Sequence, residues 1–298
     1  MITLAAGSFV VELEPEIGGS VASFRWLRNE SMVDLLRPMS DEARAKRLPV
    51  GAAMFPMVPY ANRIADNQFS FGAHDYRFLP NVSGEPCSLH GAGWLSAWTV
   101  AHAEAASAYL TLDHMQPDEP YSYSASQDFE LTTDGLTVTV GVVNRSTRRL
   151  PFGFGLHPWW TYQADITLGF RATHFWLEGP GYLPTDRISL PPELDFSHPK
   201  RLPRRWRNNC YSGWDGRAEL FLPHGVGMSI QAESVFRHLM VYSDPQKRVF
   251  CLEPQTHATG ALNRIGEYAN DDLGIIILEP GESAQGAVSF LPFSTERR

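Results

Sequence analysis

Cysteine is scarce. The chain has three in 298 residues (Cys87, Cys210 and Cys251), far apart and without a CxxC pair. That argues against a disulfide framework or a paired-thiol metal knuckle, and the thiols read as reduced core residues of a cytoplasmic protein. Positive charge is also short: 25 Lys and Arg against 33 Asp and Glu leave a net charge of -8, so there is no basic footprint for nucleic acid or an anionic membrane. Long apolar runs are missing. In the opening stretch MITLAAGSFVVELEPE, Glu12 and Glu14 interrupt the apolar residues and no Lys or Arg stands near the front, so neither a signal peptide nor a membrane span is expected. HExxH, HxH, GxGxxG, GxxxxGK[ST] and GxSxG do not occur, so no metal, no nucleotide cofactor and no elbow-type serine nucleophile is expected.

Helical periodicity is nearly absent as well. Only SDEARAKRL, residues 40–48, looks helical, with Ser40 as its N-cap and acidic residues in its first turn. What is present has period two. In residues 136–143, Leu136, Val138, Val140 and Val142 alternate with Thr137, Thr139 and Gly141. Entered through Asp134-Gly135 and preceded by DFELTT, this is a β-hairpin. FVVELEP, AYLTLDH, RAELFLP, VGMSIQAE, HLMVYS, RVFCLEP, DLGIIILEP and GAVSFLPF are further strand candidates. With 22 Pro and 24 Gly between them, and no repeat or linker, they predict one all-β domain over residues 1–298, a large sandwich or barrel. Such folds hold small ligands on a concave sheet face or among loops.

Four segments concentrate unusual chemistry. FPMVPYANRI, residues 55–64, places Asn62 and Arg63 on an irregular stretch, where an amide and a guanidinium can bind a polyol or Arg63 can form a structural salt bridge. SLHGAGW, residues 88–94, sets His90 before glycines that let backbone approach a ligand, or else His90 caps a turn. FGFGLHPWW, residues 152–160, holds His157 beside Trp159 and Trp160, as a proton-transfer imidazole or as a core histidine. VFCLEPQTH, residues 249–257, ends an apolar run on Glu253, where desolvation opposes charge. Either a salt bridge or a catalytic role explains such a carboxylate.

Taken in order, these segments resemble the aldose 1-epimerase (galactose mutarotase) family. VELEPEIGGSVASFRW (11–26), FSFGAHDYRFLPN (69–81), CLEPQTHATGALN (251–263) and LEPGES (278–283) extend the resemblance over nearly the whole chain. It implies an antiparallel galactose-mutarotase-like supersandwich with few short helices. It also implies a cofactor-free and metal-free isomerase that interconverts the α and β anomers of a free aldose. Carried over by position, Glu253 is the general base and His157 the general acid. Arg63, with Asn62 beside it, and His90 bind the sugar, and Trp159 or another aromatic packs on its apolar face. The family's hydroxyl-gripping aspartate falls in NNCYSGW, residues 208–214, where this chain has Asn208; Asp215 reads as a turn residue.

Ring opening takes a proton from the anomeric hydroxyl and gives one to the ring oxygen, so a Glu/His pair suits it, starting with Glu253 ionised and His157 protonated. The expected partner is a small sugar, and the expected assembly a monomer or homodimer. Two rivals keep the fold: a non-catalytic sugar-binding protein, and a sugar-phosphate epimerase using the arginines of RLPRRWR, residues 201–207. A glycoside hydrolase would need a second carboxylate. His257 is left as either support for the site or a surface residue.

Overall fold

The computed structural model describes residues 1–295 apart from 118, 164 and 224. The predicted hairpin is present: Ser122–Leu131 pairs antiparallel with Leu136–Asn144, closing on Leu131 opposite Leu136. Its alternation has the expected cause, since Leu136, Val138, Val140 and Val142 are buried while Thr137 and Thr139 are half-buried on the other face. This hairpin belongs to a 9-stranded sheet, and an 11-stranded sheet lies across a shared core. Every ladder between named strands is antiparallel.

Helix is confined, among the described residues, to Asp41–Ala45 and Asn270–Leu273, apart from single 3-10 turns. Ser40 caps the first of them, its hydroxyl accepting from the Ala43 N–H at 3.1 Å. The second corrects the sequence reading of DLGIIILEP as one strand. Asp272 and Leu273 close a short helix, Gly274 turns left-handed at φ 71°, and the strand is only Ile276–Leu278. One turn of helix carries too little periodicity to register beside four apolar residues.

The middle of the larger sheet matters most for function. Strands Met54–Met57, Gly155–Thr161, Val249–Gln255, His238–Asp244 and Arg207–Ser212 lie side by side in that order. Val249–Gln255 is buried throughout. Phe250 and Leu252 join the shared core, whereas Val249 and Cys251 join a smaller cluster on the opposite face with Phe55, Met57, Trp94 and Trp159. Burial on both faces explains why VFCL reads as a continuous apolar run without alternation. The same alternation sends Glu253 to the face of the smaller cluster.

Candidate active site

The register places His157 directly opposite Glu253, midway between the pairs Trp159–Cys251 and Gly155–Gln255. Their side chains meet at 3.3 Å, His157 Nε2 to Glu253 Oε1, with only 9% and 3% of each side chain exposed. The imidazole stacks on Phe55 at 4.5 Å and on Trp159 at 4.8 Å. Three polar atoms are buried here without a hydrogen-bond partner, Glu253 Oε2, His157 Nδ1 and Trp159 Nε1. Paired buried groups with spare lone pairs or protons are unusual in a finished core and usual where a ligand completes the bonding.

The dry setting decides the protonation. Burial raises the Glu253 carboxyl to about 8, the nearby Arg63 pulling weakly the other way. Burial lowers His157 to about 3, with Arg37 adding to the effect. The two values have therefore moved toward one another and crossed. At neutral pH the empty site holds one proton on the carboxyl beside a neutral imidazole, the reverse of the charge-separated start expected from sequence. Two charges in so apolar a place cost more than one shared proton.

The other side of the site comes from two irregular segments locked to one another. His90 donates its backbone N–H to the Asn62 carbonyl at 3.0 Å, and the Asn62 N–H returns a bond to His90 Nδ1 at 2.9 Å. Both residues are left-handed, Asn62 at φ 62° and His90 at φ 57°. Non-glycine residues held there are strained, and such strain gathers at functional sites. With Nδ1 accepting, the neutral ring of His90 carries its hydrogen on Nε2 and stands edge-on to His157 at 5.3 Å. Burial keeps His90 neutral, its pKa well below the usual value.

Arg63 does two things at once. Its Nε and Nη2 grip Glu85 at 2.9 and 2.7 Å, and its guanidinium lies 5.1 Å over the Tyr182 ring. The salt bridge weighed from sequence is thus real, and it fixes the cation near Glu253. Asn62 spends its side-chain oxygen on the Arg63 N–H at 2.9 Å, leaving its amide hydrogens for a ligand. His257 is not a surface residue. At 1% exposure it accepts the Ala61 N–H on Nε2 at 3.0 Å and contacts the Ala258 carbonyl through Nδ1 at 2.8 Å. It hooks the Asn62–Arg63 segment onto the end of the Glu253 strand.

Asn208 lies opposite Tyr242, which itself lies opposite Cys251, so all three share the face of Glu253. Arg207, opposite Ser243, projects from the other face. Asp215 is a turn residue, accepting the Arg217 N–H at 3.1 Å. Trp159 does not offer an open ring. It is 8% exposed, stacked on His157, with the Arg37 guanidinium 4.5 Å over it. Sequence reasoning missed Phe55, Glu85, Arg37 and Tyr242. Phe55 opens the Asn62–Arg63 segment without standing out in it, sheet register brings Tyr242 to the site, and Glu85 and Arg37 reach it from loops.

His157, Cys251 and Glu253 also place three possible metal-ligand atoms within 4.8 Å of one another, the one such group among the described residues. Burial pushes the Cys251 thiol well above its ordinary value and the carboxyl to about 8, so two of the three donors hold protons that a metal would have to displace. A cavity of about 750 Å³ lies elsewhere, beside Tyr60, Ser88 and Gly91. Its buried polar groups are already paired, Tyr60 with Ser88 at 2.6 Å and His114 with Glu119 at 2.7 Å.

The fold thus has two large antiparallel sheets, with a buried Glu/His pair beside His90, Asn62 and Arg63. The profile of the aldose 1-epimerase family matches residues 1–291, and the chain belongs to that family. The uncharacterised protein YphB of Escherichia coli K12 is 34% identical over 297 residues, covering 96% of this chain and 97% of that protein. A crystal structure from Escherichia coli K12, named only provisionally as an aldose 1-epimerase, superposes with a TM-score of 0.88 at 32% identity and 98% coverage of both chains. A galactose mutarotase-like protein of Clostridium acetobutylicum shares the fold, with a TM-score of 0.82 at 21% identity over 98% of this chain and 94% of that one.

Proposed function

We propose that the protein interconverts the α and β anomers of a free aldose by acid–base opening and closure of the ring. The observation that carries this reading is the pair itself: Glu253 and His157 in contact at 3.3 Å, each with a buried atom left without a partner. The pair holds one proton, and mutarotation needs one proton removed and one delivered, in either direction. Sugar hydroxyls entering the pocket restore the polar surroundings that burial removed. With Arg63 favouring the carboxylate, the shared proton then passes to His157. Glu253 takes the proton of the anomeric hydroxyl while His157 supplies one to the ring oxygen. Rotation about C1–C2 exposes the other carbonyl face, and the two transfers reverse. His90, through Nε2–H, and the amides of Asn62 and Asn208 are placed to hold hydroxyls.

Two features favour catalysis over binding alone. A sugar is held by neutral donors and acceptors and does not need two titratable groups whose pKa values have crossed. The backbone strain at Asn62 and His90 also marks a site held in one geometry. Free sugars are favoured over their phosphates because two of the four arginines of residues 201–207 do not serve the pocket. Arg201 is exposed and pairs with Asp165 at 3.5 Å, and Arg207 points from the opposite sheet face. The experiment is exchange NMR or polarimetry on freshly dissolved aldoses. Native protein accelerates anomer exchange, and unchanged exchange across hexoses and pentoses rejects the reading.

A further inference from the structure

The face of the larger sheet turned away from Glu253 carries polar groups for which the proton chemistry has no use. Trp160 lies opposite Phe250, Phe250 opposite Ser243, and Ser243 opposite Arg207, so the four form one cross-strand row on the core side. Three of them bring a buried atom without a hydrogen-bond partner among the described residues: Trp160 Nε1, Ser243 Oγ and Arg207 Nη2. The row is dry. Ser243 and Phe250 are 0% exposed, and the Trp160 ring stacks on Phe250 at 5.4 Å. Buried polar atoms are normally paired, so three in a single row call for a common partner.

The chemistry of the three atoms says what that partner is. An indole N–H, a hydroxyl and a guanidinium N–H can all donate, and the guanidinium adds a fixed positive charge. Every other half-buried arginine among the described residues holds a carboxylate, a carbonyl or a hydroxyl. Arg207 alone has none of these. Burial and the neighbouring Arg205 oppose its charge, while Glu193 favours it from beyond ion-pair distance. A cation drawn into so apolar a place without a counter-charge is costly, and donors without an acceptor are completed by an anion.

We infer that Arg207 and Ser243 form a halide site on the back of the sheet, and that chloride is the ion it takes. Neighbouring strands are about 4.8 Å apart, so one ion accepts from both side chains at once. Trp160 stands two strands from Ser243 and is the third donor of the row rather than a direct ligand. A monatomic anion has no shape to accommodate, which suits a row already packed by Phe250 and Trp160; a phosphate ester would bring a carbon chain with it. The chain neighbours of the two ligands, Asn208 and Tyr242, face the sugar pocket. The ion therefore braces the strand pair behind the pocket without entering it. The inference does not depend on the anomer-exchange reading, since it concerns the opposite face.

Thermal unfolding at fixed ionic strength tests this, with sodium chloride replacing sodium methanesulfonate in steps up to about 200 mM. The native Tm is expected to rise by about 3 °C or more and to level off as the site fills. Arg207→Met and, independently, Ser243→Ala lose that response. Ser243→Ala decides the matter even where Arg207→Met fails to fold. It deletes a buried hydroxyl that no protein group satisfies, so in chloride-free buffer its Tm should equal or exceed the native value. Crystals of the native protein grown in sodium bromide should show an anomalous peak between Arg207 Nη2 and Ser243 Oγ. No chloride response in the native protein, or an equal one in the variants, overturns the inference, as does bromide diffraction without a peak at that position.

Discussion

A carboxyl that keeps its proton to about pH 8, beside an imidazole that takes one only below about pH 3, makes the number of protons on the pair the controlling variable. The working state has one. As pH rises through about 8 Glu253 loses it, and as pH falls through about 3 His157 gains a second. We therefore expect kcat/KM to be flat between those limits and to fall about tenfold per unit beyond either one. A titration of anomer exchange measures this, and a midpoint near the ordinary carboxyl value of 4.5 would show Glu253 to be ionised in the free protein. Glu253→Gln should keep the fold and abolish catalysed exchange. The same substitution has a sign in stability. The unfolded carboxyl titrates at 4.5 and the folded one at about 8, so unfolding in that window releases a proton. Stability from the neutral carboxyl is complete below 4.5 and is lost as pH rises to about 8. Relative to native protein, Glu253→Gln should gain roughly 4 °C or more in Tm between about pH 5 and about pH 9.

At the scale of elements, the site depends on two irregular segments pinned to a rigid strand. His257 makes that attachment, so His257→Ala leaves the buried Ala61 N–H without its partner. The expected cost is about 1–3 kcal/mol of stability, with a rise in KM larger than the fall in kcat, checked by denaturation and by exchange kinetics. How much of this the sequence carried depends on the range of each interaction. The strands were legible because burial on one face writes itself as alternation, as in residues 136–143, and the helix because Ser40 caps it locally. The turn of helix at Asn270–Leu273 was too short to read. Glu253, His157, His90, Asn62 and Arg63 stood out through local motifs and their order along the chain. Their mutual geometry did not. His157 and Glu253 meet through sheet register although they stand far apart in sequence, and Arg63 finds Glu85 through a loop with no motif. Protonation was unreadable for the same reason, because it follows from how completely Phe55, Trp159 and the sheet exclude water. Trp159, expected against the sugar, is instead consumed by His157 and Arg37.

At the scale of the molecule, charge selects the substrate class. A net charge of -8, with Arg201 paired to Asp165 and Arg207 on the opposite sheet face, disfavours anionic sugars. Glucose 6-phosphate is expected to show a lower kcat/KM than glucose in one exchange assay, and the opposite order would revive the phosphate reading. Dialysis against a chelator should leave the exchange rate unchanged, because the Cys251 and Glu253 donors hold protons at neutral pH. The strand Val249–Gln255 has a last consequence. Buried on both faces and bonded on both edges, it belongs with the segments whose amides exchange hydrogen only when the entire chain opens. The carboxyl it carries thus has no separate melting event. On heating, loss of any anomer-exchange activity and global unfolding should coincide.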